Sequence, residues 1–221
     1  MLFETPPATE PLEEGAVLLR AFCTNESPAL VEAVARIAES SPFRHLVVPG
    51  GHTMSVAMTN CGAVGWVSDR KGYRYDPIDP DTKQHWPDMP PIFLDLAARA
   101  AAEGGFPDYH PDACLINRYS AGAKLGLHQD RDEQDQWSPI VSVSLGLPAT
   151  FLWGGKKRGD PVRRIRVESG DVAVWGGPAR FIYHGVSPLK AGDHPLTGQV
   201  RLNLTFRKVF AAPNYGAQAE S

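Results

Sequence analysis

The chain has 221 residues, 43% hydrophobic and 21% charged, with a formal net charge of −3. That balance suits one globular core and excludes a body that binds nucleic acid through bulk charge, so any such contact must come from a local patch. Three widely spaced cysteines, Cys23, Cys61 and Cys114, form neither a C-x-x-C motif nor a disulfide framework. No apolar run approaches the roughly 18 residues of a membrane span, and the first residues lack the basic and apolar regions of a signal peptide. A reducing, cytoplasmic setting is expected, for a monomer with no membrane contact and no obligate protein partner.

Residues 1–14 are rich in Pro and Glu and are expected to be a flexible segment. AVLLRAF (16–22) reads as a strand. Ser27-Pro28 then looks like a helix N-cap followed by Pro in the first turn, with Leu30, Val34 and Ile37 on one apolar face. A second helix is predicted from Pro91 to Glu103, with Ile92, Leu96, Arg99 and Ala100 along its face and Gly104-Gly105 as its stop. Residues 45–90 lie between these helices. They are rich in Gly, Pro, Asp, Trp and Tyr, show no sustained period, and are expected to form a lid or binding surface.

After residue 112 the pattern is strand upon strand. ACLINRY (113–119), PIVSVSLGL (139–147), ATFLWG (149–154), RRIRVE (163–168), DVAVWG (171–176), FIYHGV (181–186) and QVRLNLTFRKV (199–209) are short, β-branched or aromatic, and divided by turns such as Ser169-Gly170-Asp171. Seven short strands so spaced predict a sandwich, jelly roll or barrel. Residues 15–210 are thus expected to form one domain whose β-core spans 112–210, and 211–221 a flexible tail.

Two groups of residues carry chemistry. His128 and Asp130 stand two apart, so in an extended segment both face one way. Alone, H-x-D also fits a solvated strand end. His184 adds a second imidazole, and two imidazoles with one carboxylate leave open positions on an Fe(II) ion, as in non-haem oxygenases. In RLNLTFR, Arg201, Asn203, Thr205 and Arg207 alternate strictly with Leu202, Leu204 and Phe206. An exposed sheet face would read the same way. Two arginines with an amide and a hydroxyl between them also fit a small dianion, and Asn117 and Tyr119 could add neutral hydrogen bonds. Iron plus a carboxylate-binding strand suggests 2-oxoglutarate.

NRYSAGAKLGLHQDRDE, PIVSVSLGLPA, GDVAVWGG, YHGV and RLNLTFR resemble the AlkB family of alkylation-repair dioxygenases, and TMSVAMTNCG (53–62) and PIDP (77–80) resemble its bacterial members. The resemblance runs from about residue 14 to 208. It implies an α+β, mainly β fold: a double-stranded β-helix (jelly-roll) core with flanking helices and a nucleotide-recognition lid. It implies Fe(II) on His128, Asp130 and His184, and 2-oxoglutarate on Asn117, Tyr119, Arg201, Asn203, Thr205 and Arg207, with Arg201 favoured for the distal carboxylate. It further implies that Trp66 stacks on an extruded base opposite His128, with Met58 as an apolar neighbour. Tyr73 and Tyr75 become nucleotide-backbone contacts, Asp132 the acceptor for the exocyclic amine, and Arg158 a phosphate contact. The implied reaction is oxidative demethylation of N1-methyladenine and N3-methylcytosine with O2, releasing formaldehyde, succinate and CO2. Single-stranded DNA is the expected partner, with RNA a further candidate. Glu133 and Arg131 are expected at the rim. Lys124, Lys156, Lys157, Arg163 and Arg164 offer further local charge. The pattern is broken at His52, Gly126 and Arg131, none an iron or cosubstrate position.

Other readings remain at this stage: an oxygenase of methylated RNA or tRNA, of a protein side chain or of a small molecule, a non-catalytic nucleic-acid module, or a zinc hydrolase on the same trio. The aromatic lid favours a base as substrate, and the arginine strand is unexplained by a hydrolase.

Overall fold

The computed structural model describes residues 8–211. It opens on a hairpin of β1 (Thr9–Glu13) and β2 (Ala16–Leu19). Over Thr9–Glu13 this corrects the expected flexible segment, because Leu12 is buried, Glu13 accepts a hydrogen bond from Trp153 Nε1 at 2.7 Å, and Glu10 pairs with Arg20; residues 1–7 lie outside the described ones. The masking of chemistry by composition is simple here: an edge strand tolerates Pro and Glu when one face alone is covered. The expected flexible tail lies outside the described residues from 212 onward.

Helix α1 spans Ser27–Ser40 with Pro28 in its first turn. The cap position is Glu26 rather than Ser27, whose hydroxyl donates to the Cys23 carbonyl at 2.9 Å. Helix α2 spans Pro91–Glu103 and stops at Gly104 as expected, with Gly105 at φ 88°, a left-handed position that glycine adopts without strain. Leu30, Val34 and Ile37 of α1 and Phe93, Leu96 and Ala100 of α2 bury one continuous cluster with Val141, Val143, Leu204 and Phe206. No helix among the described residues is long and apolar enough to cross a membrane.

Residues 45–90 are more regular than expected. They hold most of β3 (Arg44–Val47), all of β4 (Thr53–Gly62), and a two-stranded hairpin of β5 (Gly65–Asp69) and β6 (Gly72–Asp76). In β4 the residues from Val56 to Cys61 are all buried. A strand covered on both faces shows no alternation, which is why its sequence looked patternless.

Eight strands follow: β7 (Ala113–Tyr119), β8 (Leu125–His128), β9 (Ile140–Gly146), β10 (Ala149–Trp153), β11 (Arg163–Val167), β12 (Val172–Trp175), β13 (His184–Val186) and β14 (Arg201–Arg207). The larger sheet runs β1-β2-β12-β9-β14-β7-β4-β3 and the smaller β11-β10-β13-β8. From β7 onward consecutive strands alternate between the larger and the smaller sheet, except β10 and β11, which are neighbours in the smaller one; this is the jelly-roll arrangement expected. A second apolar cluster, with Phe151, Trp153, Trp175 and Val186, fills the space between them. The turn before β12 is the expected one, with Gly170 at φ 93° and Thr24 where a side chain would project.

The last strand in sequence, β14, is central in space, flanked by β7 and β9. All seven of its residues are buried, so the exposed-face reading of its arginines does not hold. Leu204 and Phe206 pack toward the helices, while Arg201, Asn203, Thr205 and Arg207 face the cavity between the sheets.

All three cysteines are buried and unpaired in disulfides, and Cys61 lies directly opposite Cys114 across β4 and β7. Burial pushes the Cys23 thiol up to about 12 and the Cys114 thiol well above its ordinary value. Reactivity needs thiolate and access. A colorimetric disulfide reagent at pH 8 should therefore titrate none of the three thiols in the folded protein and all three after unfolding; prompt labelling of the folded protein would contradict this packing.

Candidate active site

The smaller sheet delivers both histidines. His128 ends β8 and His184 begins β13, and the two are register partners. Their rings lie 4.4 Å apart, centre to centre. Asp130 follows β8 in the same extended sense, and its carboxylate lies 3.6 Å from His128 Nε2 and 3.8 Å from His184 Nε2. One ligand atom from each of the three falls within 4.8 Å of the others.

Backbone carbonyls orient both rings. His128 Nδ1 sits 2.9 Å from the Gly126 carbonyl and His184 Nδ1 3.0 Å from that of Ile182. A carbonyl only accepts, so each Nδ1 carries the proton and each Nε2 lone pair points toward Asp130. Burial pushes the His184 pKa down to about 4, so it is neutral near pH 7. Burial alone would raise the Asp130 carboxyl, but the charge and hydrogen bonds of the Arg207 guanidinium hold it below the usual carboxylate range. Two imidazole Nε2 atoms and one carboxylate, brought together within 4.8 Å, suit a divalent iron ion with open positions.

The two arginines of β14 differ. Arg207 donates to Asp130 Oδ2 from Nε at 3.1 Å and from Nη2 at 2.8 Å, and lies 3.3 Å from Glu133. Arg201 is equally buried, yet its Nη2 reaches only the Ser144 hydroxyl at 2.9 Å, while Nε and Nη1 have no partner. The Tyr119 ring covers it at 5.0 Å. Buried N–H groups are rarely left unmatched, so this pattern fits an anionic carboxylate that arrives with a bound molecule. Asn117 Oδ1 is also unmatched. The Asn203 amide, by contrast, is fully engaged: Asn117 and Thr205 donate to its oxygen, and its nitrogen donates to the Ser142 hydroxyl and the Val143 carbonyl. It could touch a cosubstrate only by exchanging one of these bonds.

One cavity of about 330 Å³ is lined by the His-Asp-His cluster, Asn117, Tyr119 and the four inward residues of β14. Met58, Trp66, Tyr73 and Asp132 also line it. On the β5–β6 hairpin, Trp66 and Tyr73 are stacked, with centres 5.5 Å apart and planes 14° from parallel. Trp66 Nε1 donates to Asp132 Oδ2 at 2.8 Å. The lid is thereby tied to the strand end that carries Asp130.

Other residues take positions that the sequence did not indicate. Tyr75 turns its hydroxyl inward, donating to Glu133 Oε1 at 2.6 Å. Glu133 is not at the rim but 4% exposed, paired with Arg180 at 2.9 Å. Arg158 is an exposed turn residue stacked on Tyr183 at 5.8 Å and forms no part of the cavity wall. Arg163 and Arg164 are held by the Leu12 carbonyl and the Ser187 hydroxyl. Of the pattern breaks, Gly126 faces open space, so a side chain there meets nothing, and Arg131 lies over the Phe181 ring.

Sequence reasoning missed Arg180. It is 2% exposed and donates to the Asp130 carbonyl at 2.7 Å as well as to Glu133. The available signal was a lone cation within the otherwise apolar run AVWGGPARFIYHGV.

A jelly roll with this cluster and this arginine is matched, over residues 15–207, by the sequence model of the 2OG-Fe(II) oxygenase superfamily, and the chain belongs to that superfamily, in its AlkB family. It is 58% identical over 205 residues to the alpha-ketoglutarate-dependent dioxygenase AlkB of Escherichia coli (strain K12), covering 93% of this chain and 95% of that one. It is 49% identical over 185 residues to the AlkB homolog of Caulobacter vibrioides (strain NA1000 / CB15N), covering 83% and 82%. The solved structure of OsALKBH1 superposes with a TM-score of 0.79 at 31% identity, covering 91% of this chain and 100% of that one.

Proposed function

We propose that the chain is a cytoplasmic oxidative demethylase of N-alkylated bases, acting on N1-methyladenine and N3-methylcytosine in single-stranded DNA and, secondarily, RNA. The observation that carries this reading is one cavity with three parts. Orphaned Arg201 lies at its buried wall, the His-Asp-His cluster is in the middle, and the Trp66–Tyr73 stack with Asp132 is at the mouth.

His128, Asp130 and His184 would hold Fe(II), and Arg201 would take the distal carboxylate of 2-oxoglutarate, with Asn117 and Tyr119 beside it. Bound there, iron and 2-oxoglutarate with O2 supply the oxidation of the N-methyl group, which leaves as formaldehyde while 2-oxoglutarate becomes succinate and CO2. The chain's own residues choose and hold the substrate. Arg207 and Arg180 fix Asp130, so the cluster keeps its geometry without a ligand. Trp66 offers a face worth about 1–3 kcal/mol of base stacking. Asp132 presents a second carboxylate oxygen beside the one bound by Trp66, which favours a cationic methylated base over a neutral one. Methylation also removes pairing, so extrusion of such a base costs less than for an intact one. With a net charge of −3 and no extended basic stripe in the sequence, an already open strand is the better substrate.

The test is anaerobic loading with Fe(II) and 2-oxoglutarate, then O2 and an oligonucleotide carrying either lesion, with succinate and formaldehyde measured in single- and double-stranded DNA and RNA. Absence of formaldehyde from all of these sinks the reading. Asp132→Ala should keep 2-oxoglutarate turnover but lose about tenfold in preference for the cationic bases, the scale of one charge-assisted hydrogen bond. An unchanged preference in competition between N3-methylcytosine and a neutral N-methylated base would remove Asp132 from base selection.

A further inference from the structure

A second groove lies beyond the Tyr73 ring, lined by Tyr73, Arg74, Tyr75, Gln134, Val209 and Phe210. It shares Tyr73 and Asp132 with the main cavity. Tyr73 and Phe210 are 49% and 43% exposed, two of the five large hydrophobic residues left open among the described residues. Such exposure in a concave, rigid setting points to a ligand rather than to chance.

The groove is rigid because its walls are bonded. The Asp112 carboxylate accepts from the Val209 and Phe210 backbone N–H groups at 2.6 and 3.2 Å. The Val209 carbonyl accepts from the Gln134 and Asp135 N–H groups at 2.9 and 3.1 Å. Its charge is balanced: Arg74 pairs with Asp69 at 3.0 Å and Asp76 at 3.5 Å, and Asp132 sits at the shared edge. A phosphate finds no free cation among these residues. Two open aromatic faces, the apolar flank of Tyr75 and the exposed carboxamide of Gln134 instead suit a flat, neutral heterocycle with hydrogen-bonding edges. The Tyr73 ring belongs to the wall of both, so the groove opens directly beside the main cavity.

We propose that this groove is a stacking subsite for the base adjacent to the extruded one in a single-stranded substrate, a proposal that rests on the main cavity being a base pocket. The extruded base would enter beside Trp66, and its neighbour would lie between Tyr73 and Phe210.

The test is anaerobic binding, by fluorescence anisotropy, of a short single strand containing N3-methylcytosine to protein loaded with Fe(II) and 2-oxoglutarate. The strand carries an intact base or an abasic residue on the 5′ or the 3′ side of the lesion. An abasic residue on one side should weaken binding about fivefold or more, the low end of one stacked base. Phe210→Ala should weaken binding of the intact strand by a similar factor, and the two losses should not multiply. 2-Aminopurine placed at that neighbour should be quenched on binding and recover in Phe210→Ala. Independent losses, or no loss from either change, overturn the subsite. If Phe210→Ala lowers self-association in sedimentation and leaves strand binding intact, the groove is a contact between copies and the proposal falls. Failure of the base-pocket reading looks different: N3-methylcytosine then binds no better than cytosine in any strand.

Discussion

Arg201→Met should raise the melting temperature of the protein alone and remove its thermal response to 2-oxoglutarate. Arg201 is buried, holds one hydrogen bond, to Ser144, and pairs with no carboxylate among the described residues. Burial accordingly pulls its pKa below the ordinary value. Replacing a buried charge by an apolar side chain of similar volume is neutral to stabilising by about 1–4 kcal/mol. The lost cation–π contact with Tyr119 at 5.0 Å opposes this by roughly 0.5–2 kcal/mol. The expected net gain is about 1 kcal/mol, or about 2–4 °C for a chain of this size. The natural protein should instead gain about 2.7 kcal/mol from 2-oxoglutarate at a hundred times its Kd. Scanning fluorimetry with and without 2-oxoglutarate checks both halves. A destabilised variant, or one that still responds to 2-oxoglutarate, would mean that Arg201 has a partner other than that carboxylate.

The second large effect separates two roles within the metal cluster. Asp130→Ala and His128→Ala should both abolish turnover and binding of a spectroscopic metal such as Mn(II). Their folding costs should differ. Asp130 is the main partner of buried Arg207, and removing one member of such a pair costs about 3–5 kcal/mol. Glu133, 3.3 Å from Arg207, takes up part of the charge, so the lower end is expected, a fall in Tm of about 6–12 °C. The His128 side chain is 33% exposed, and its removal should cost about 1 kcal/mol or less. Asp130 titrates below its unfolded value in the fold, so its contribution is complete above about pH 4 and fades only in stronger acid. The difference between the two variants should therefore be constant through neutral pH. Equal melting temperatures would refute the ion-pair account.

The parts of the site legible in the sequence were those governed by local geometry. Period two alone put Arg201, Asn203, Thr205 and Arg207 on one face and Leu202, Leu204 and Phe206 on the other, and it related His128 to Asp130 and Asp132. The same alternation sent Glu133 to the opposite side, which looked like solvent. In the fold that side holds Arg180 and Tyr75, 47 and 58 residues away in sequence. Partners so distant leave no local signal, and Arg180 was missed for the same reason. The division of labour between the arginines was equally hidden, since only the fold shows that one is paired with Asp130 and the other keeps two N–H groups unmatched. Strand β4 escaped because covering both faces erases alternation, and β1 because Pro and Glu are tolerated at a sheet edge.

The central place of β14 has a consequence for synthesis. Residues 201–207 are made after β7 and β9, yet they fill the gap between them. Until then both of those strands present open edges, and neither arginine is present to complete the pocket. The nascent chain thus cannot assemble a reactive centre until β14 has emerged, and a product truncated before Arg201 lacks both arginines and the strand that joins β7 to β9. Its two facing edges would be free to pair with other chains. Premature termination should then yield insoluble protein rather than a loose oxidase that consumes 2-oxoglutarate without a substrate.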